Sequence, residues 1–91
     1  MQRKPVPPPP DVKKLLGERV RELRHRLGIS QEELADRAFL DRTYVSSLER
    51  GHRNVALENL CRLAGALQVD PGELIAGFPD PGPKSFTEKR N

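Results

Sequence analysis

The sequence predicts an all-α fold of five short helices, on three observations. Apolar residues recur at helical spacing, as in Val12, Leu16, Val20, Leu23 and Leu27, which lie 4, 4, 3 and 4 positions apart. No β-branched run alternates with polar residues, and no Asn-Gly or Asp-Gly pair offers a hairpin. Four helix starts repeat one grammar: an apolar residue, a capping position, then an apolar residue four positions into the helix. That arrangement is a hydrophobic staple.

Helix one is expected over 12–27, with Asp11 as its N-cap and Gly28 as its stop. Ile29 and Leu34 flank Ser30 at the start of helix two, expected over 31–38. Leu40 and Val45 flank Asp41 before helix three, 42–50. Val55 and Leu60 flank Ala56 before helix four, 57–67, the one start whose capping residue has no side-chain oxygen. Val69 and Leu74 flank Asp70 before helix five, 71–76, where Pro71 takes the first helical position that its missing N–H suits. Ser30 with Glu33 and Asp70 with Glu73 have the spacing of capping boxes.

The chain has 91 residues, room for one small domain. Eight of its nine prolines lie in 5–10 or 79–83. They mark off residues 1–10 and 79–91 as expected disordered tails around a domain at 11–78. The Pro-rich N-terminal segment reads as a solvated spacer more readily than as an SH3-type ligand. Cys61 is the only cysteine, which excludes an internal disulfide and a Cys-based zinc site, and it is expected to fill the core as a small hydrophobe. No apolar run is long enough to cross a bilayer. A cytoplasmic setting fits, with no metal or other cofactor. The formal charge is +3, but residues 11–78 hold eleven basic and eleven acidic side chains, so the excess lies in the tails. Net charge is therefore weak evidence for a nucleic-acid partner, and what matters is how charge is segregated on the folded surface.

Helices two and three are short and start eleven residues apart, which makes them cross at a wide angle. Small Ala35 permits close approach, and Leu34, Ala38, Val45 and Leu48 fill the contact. This is the helix-turn-helix pattern. The string Ser30-Gln31-Glu32-Glu33-Leu34-Ala35 through Leu48-Glu49-Arg50-Gly51, followed by Leu57 to Leu67, resembles the Cro/CI (lambda-repressor-like, XRE) DNA-binding domain over about residues 12–77. Leu40-Asp41-Arg42-Thr43-Tyr44-Val45-Ser46, with Glu49-Arg50-Gly51 and Arg53-Asn54, further resembles restriction–modification controller proteins.

The residues point the same way. With Val45 and Leu48 buried, a rotation of 100° per residue puts Thr43, Ser46, Ser47 and Arg50 on the opposite side of helix three. Arg42 and Tyr44 flank that stripe. A recognition helix enters the major groove N-terminus first. Arg42 and Thr43 then sit deepest, Arg42 able to donate two hydrogen bonds to guanine and Thr43 to offer a hydroxyl or meet a thymine methyl. Ser46 and Ser47 are short enough to let the helix approach the bases. As a pattern alone, Arg42, Ser46 and Arg50 also fit an ordinary solvated face. Gln31, at the start of helix two, lies where free N–H groups favour a phosphate, a role the resemblance also implies. Arg53 and Asn54, in the loop after helix three, are placed to straddle the backbone. The resemblance implies that Glu49 turns inward to form an ion pair with Arg24.

Two positions depart from the family. Phe39 stands where the family commonly has glycine, because the turn there favours positive φ; either the turn is reshaped or Phe39 is strained and serves packing or a partner. Ala56 is the other departure, expected to affect stability alone.

A single module reads DNA with limited discrimination, which favours a homodimer on a two-fold symmetric operator. Leu67 and Leu74 are expected in the core, while Ile75 and Phe78 are candidates for an exposed dimer contact. The expected function is a sequence-specific transcriptional regulator that blocks or contacts RNA polymerase. The alternative is a protein-interaction module, an antitoxin or coactivator adaptor on the same fold, supported by the Pro-rich N-terminus and Phe86. No nucleophile–base pair, metal set or phosphate loop points to an enzyme.

Overall fold

The computed structural model describes residues 10–79, so the tails expected at 1–10 and 79–91 lie outside the described residues apart from Pro10 and Pro79. Among the described residues there are five α-helices and no strand: α1 (Val12–Leu27), α2 (Gln31–Ala38), α3 (Arg42–Glu49), α4 (Leu57–Leu67) and α5 (Pro71–Ile75). Two ends differ from expectation by one residue. Arg50 caps α3 instead of extending it, and α5 stops at Ile75.

The caps divide into two kinds. Asp11 accepts a hydrogen bond from the Lys14 N–H, and Ser30 accepts one from the Glu33 N–H. Asp41 and Asp70, expected to cap in the same way, make no side-chain cap bond. The expected capping boxes are not completed either, since the Glu33 carboxylate turns to Arg37 instead, 2.8 Å away. The staples therefore hold these starts more than the caps do. Ile29, Leu34, Val45 and Leu74 are buried, and Leu40, Val55, Leu60 and Val69 pack partly buried against the same core.

Four of the helix stops share one geometry. The chain steps into the left-handed region, and two N–H groups reach back to carbonyls of the last turn, the Schellman arrangement. Gly28 and Gly51 do this at φ of 70° and 79°. Phe39 and Gln68 do it without being glycine, at 59° and 64°. In the α2–α3 turn the Phe39 N–H donates to Asp36 and the Leu40 N–H to Ala35. Of the two alternatives for Phe39, the strained one is therefore realised: the turn keeps its shape, and Phe39 is 83% exposed.

One core unites the helices. Leu16 and Val20 of α1 meet Leu34, Ala35 and Ala38 of α2, Val45 and Leu48 of α3, and Leu63, Ala64 and Leu67 of α4. The expected apolar stripe of α1 is narrower than its spacing suggests, since Val12 and Leu27 at its ends are more than a third exposed. Cys61 is exposed, contrary to its expected place in the core. The rotation of α4 that buries Leu63, Ala64 and Leu67 carries position 61 to solvent. Leu67 and Leu74 are buried, as expected.

Candidate nucleic-acid interface

Helix α3 is a rod with two unlike sides. Val45 and Leu48 are fully buried and Glu49 is 3% exposed, while Arg42, Thr43 and Arg50 face solvent and Ser46 is half-buried. The buried side fixes α3 against α1 and α2. The other side is left as a polar ridge with arginines at both ends.

Its orientation is set by a charge cluster at its C-terminal end. Arg24 of α1 donates from Nε to Glu49 Oε2 at 2.6 Å and from Nη2 to Oε1 at 2.9 Å, a bidentate pair. Arg24 Nη1 also holds the Ile29 carbonyl at 2.9 Å. Burial pushes the Glu49 carboxyl up, but the Arg24 hydrogen bond, the Gln31 hydrogen bond and the charges of Arg24 and Arg21 together bring it below its ordinary value. Its carboxylate stays ionised although it is buried. Hydrogen bonding to Glu49 holds the Arg24 guanidinium above its ordinary value against the opposing effect of burial. Gln31, expected at a phosphate, donates from its Nε2 to Glu49 Oε1 at 3.0 Å.

Sequence reasoning missed the glycine beneath this cluster. Gly17 of α1 is buried, and a Cβ there would lie 2.5 Å from the Leu48 carbonyl oxygen and 2.8 Å from that of Glu49. Only a residue without a side chain lets α1 and α3 close to the distance the ion pair needs. Its position one turn before Val20 on the buried stripe was the available signal. Gly51 serves the same junction, combining positive φ with a Cβ position 3.0 Å from the Lys14 Cα.

The remaining candidates divide between α3 and the loop after it. Arg42 has no hydrogen-bond or ion-pair partner among the described residues, and Arg50 donates to Ser46 Oγ at 2.9 Å. Ser47 differs from its expected place among the base readers. Its hydroxyl donates to the Tyr44 carbonyl at 3.1 Å and accepts from Arg53 Nε at 2.7 Å, which commits it to the loop. The Arg53 guanidinium lies over the Tyr44 ring, 4.9 Å from its centroid. Asn54 is exposed beside it.

Of the two expected dimer residues, Ile75 is 48% exposed. Phe78 departs from expectation: it packs partly buried against the core, with the Arg19 guanidinium 5.3 Å from its ring centroid. Both line a groove of about 390 Å³ whose walls are otherwise Val12, Leu16, Val55 and Leu60, with Lys13, Arg53 and Asn54 as its polar part. Among the described residues no three His, Cys, Asp or Glu side chains gather to hold a metal ion, and no helix is long and apolar enough to cross a membrane.

A two-helix unit whose second helix keeps a polar, arginine-bearing side free defines a helix-turn-helix regulator. The helix-turn-helix family matches residues 20–74, and the chain belongs to that family of DNA-binding transcriptional regulators, which are not enzymes. It is 42% identical over 66 residues to control protein C.BamHI of Bacillus amyloliquefaciens, covering 71% of this chain and 82% of that protein. It is 45% identical over 65 residues to control protein C.SmaI of Serratia marcescens, covering 71% and 77%. The crystal structure of the restriction-modification controller protein C.AhdI from Aeromonas hydrophila matches with a TM-score of 0.68 at 51% identity, over 69% of this chain and 96% of that one.

Proposed function

We propose that the chain is a cytoplasmic restriction–modification controller that binds a two-fold symmetric operator in double-stranded DNA as a homodimer. Bound near a promoter, it blocks or contacts RNA polymerase. The observation that carries this reading is the division of α3, with Val45, Leu48 and Glu49 buried while Arg42 and Thr43 stand exposed at the end that would enter the major groove first. Arg42 and Thr43 read base edges, and Ser46 keeps the middle of the helix low enough to approach them. Gln31, Arg50, Arg53 and Asn54 lie along the flanking backbone, with Tyr44 flanking them beneath Arg53. Ser47 acts here through Arg53. The names of the similar control proteins support the controller assignment. Exposed Ile75 beside an apolar groove supports self-association, with Phe78 as the groove's inner wall. Two modules so joined set their reading helices about one helical turn, ~34 Å, apart.

Selection of binding sites from randomised duplexes, followed by gel shifts at two salt concentrations, tests the reading. A palindromic site and an affinity that falls steeply with salt are expected. Arg42→Ala should lose about 1–3 kcal/mol and relax one base position, whereas Arg53→Ala should weaken all sequences alike. Equal, sequence-blind losses would remove Arg42 from base reading. A salt-insensitive protein without DNA affinity would return the fold to the protein-interaction class. Sedimentation of a monomer at high micromolar concentration would overturn the dimer.

A further inference from the structure

An exposed arginine in a loop ordinarily samples many rotamers, and fixing one of them on binding costs affinity. Arg53 is exposed and lies in such a loop, yet two side chains of α3 converge on it, one of them braced by α4. Its Nε donates to Ser47 Oγ at 2.7 Å, and its guanidinium stacks on Tyr44 at 4.9 Å from the ring centroid. Tyr44 is itself held, since its hydroxyl accepts a hydrogen bond from Asn59 Nδ2 of α4 at 3.2 Å. Ser47 is fixed by its bond to the Tyr44 carbonyl. Among the described residues, no acceptor takes Nη1 or Nη2 of Arg53. The terminal fork is thus left open while the rest of the side chain is tied down. Arg42, at the other end of the same helix, has no comparable support.

We propose that Asn59 and Tyr44 are positioning residues that hold the Arg53 fork ready for a DNA phosphate before DNA arrives. The step rests on the DNA-binding reading above. Asn59 is half-buried and acts only through Tyr44, so it gains no contact with DNA. Its contribution is to keep the aromatic platform from swinging away from the arginine. A planar guanidinium already aimed and backed by a ring presents two parallel N–H groups, the geometry that phosphate oxygens accept.

The test has one arm without DNA and one with it. In the DNA-free protein, nitrogen relaxation of the arginine Nε–H groups should show Arg53 more ordered than Arg42. Asn59→Ala and Tyr44→Phe should each loosen Arg53, with thermal melting reporting that each variant is folded. Tyr44→Phe keeps the ring and core contacts, and so carries the arm if Asn59→Ala fails to fold. Against a mixed-sequence duplex, both variants should lose about three- to tenfold in affinity, the cost of ordering one more side chain on binding. Their salt slope should be unchanged, because the same phosphates are neutralised. Arg53→Ala should instead lower that slope by about one. Adding Asn59→Ala to Arg53→Ala should cost nothing further.

Equal mobility of Arg53 and Arg42 in the unaltered protein would overturn the proposal. So would an Asn59→Ala variant that leaves Arg53 ordered, or one that lowers the salt slope itself. If no duplex binds, the DNA reading fails while the relaxation result still decides whether Arg53 is held.

Discussion

The two ends of α3 are built on opposite principles. At the C-terminal end the buried charge is fully engaged: Glu49 is 3% exposed and takes two hydrogen bonds from Arg24 and one from Gln31, beside a glycine of α1 that admits the backbone of α3. At the N-terminal end almost nothing is engaged. Asp41 makes no side-chain cap bond, Phe39 stands exposed in a left-handed turn, and Arg42 has no partner among the described residues. A buried ion pair is a poor source of net stability but a strict setter of geometry, because removing either half strands the other. The contrast shows how a short helix can be rigid and still available. It is fixed where it leaves the protein core and left free where it would meet a ligand.

The largest expected effect comes from breaking the fixed end. Glu49→Ala strands the Arg24 guanidinium, which is 9% exposed, and should destabilise the fold by about 3–5 kcal/mol in urea unfolding. A loss below about 1 kcal/mol, the size of an exposed pair, would mean that the anchored end is no different from the surface. Acid supplies the same test without mutation. Because folding brings the Glu49 carboxyl below its ordinary value, its stabilisation is present above the unfolded carboxylate range and is lost as pH falls through the folded value. Stability of the unaltered protein should therefore fall more steeply on the acid side than that of Glu49→Gln, measured by urea midpoints at a series of pH values.

Next in size is Gly17→Ala. The added Cβ would meet two backbone carbonyls within 2.8 Å, and no flexible side chain is present to yield. The helices must part, at a cost of about 1–3 kcal/mol. Parting α1 from α3 also lengthens the Arg24–Glu49 hydrogen bonds, so the effects of Gly17→Ala and Glu49→Ala should be less than additive in a double-mutant cycle. Full additivity would separate the glycine from the ion pair and break the picture of one anchored junction.

The sequence was informative where structure is local and silent where it depends on approach. Staples at Ile29–Leu34 and Leu40–Val45 place helix starts because each spans only a few residues, and all five helices form with ends shifted by at most one position. Side-chain caps read from residue type were less dependable. Ser30 caps while Asp41 does not, since a carboxylate at the right position need not turn toward the helix. Cys61 was misplaced because spacing identifies an apolar stripe without fixing its width. Gly17 escaped notice because its place on the α1 stripe marks it as buried without showing that the backbone of another helix passes against it. The link from Asn59 to Tyr44 to Arg53 was hidden for a related reason: it joins α4, α3 and the loop between them through three unremarkable polar residues. The resemblance implied the Arg24–Glu49 pair, whereas the addition of Gln31 to it required the geometry.

The smallest expected effect belongs to the free end and has the opposite sign. Phe39 sits at φ 59°, where a side chain costs about 1–2 kcal/mol, and being 83% exposed it returns little of that through burial. Gly28 makes the same turn after α1 with no such penalty. Phe39→Gly should therefore stabilise the fold by about 1 kcal/mol, reduced by the greater freedom of glycine in the unfolded chain, and should raise the urea midpoint. Because the backbone bonds of Phe39 and Leu40 to Asp36 and Ala35 need only the left-handed turn, α3 should keep its direction and the Arg24–Glu49 pair its response to acid. Destabilisation by Phe39→Gly would instead show that the exposed ring supports the turn, and that the presenting end is held more firmly than its few side-chain contacts suggest.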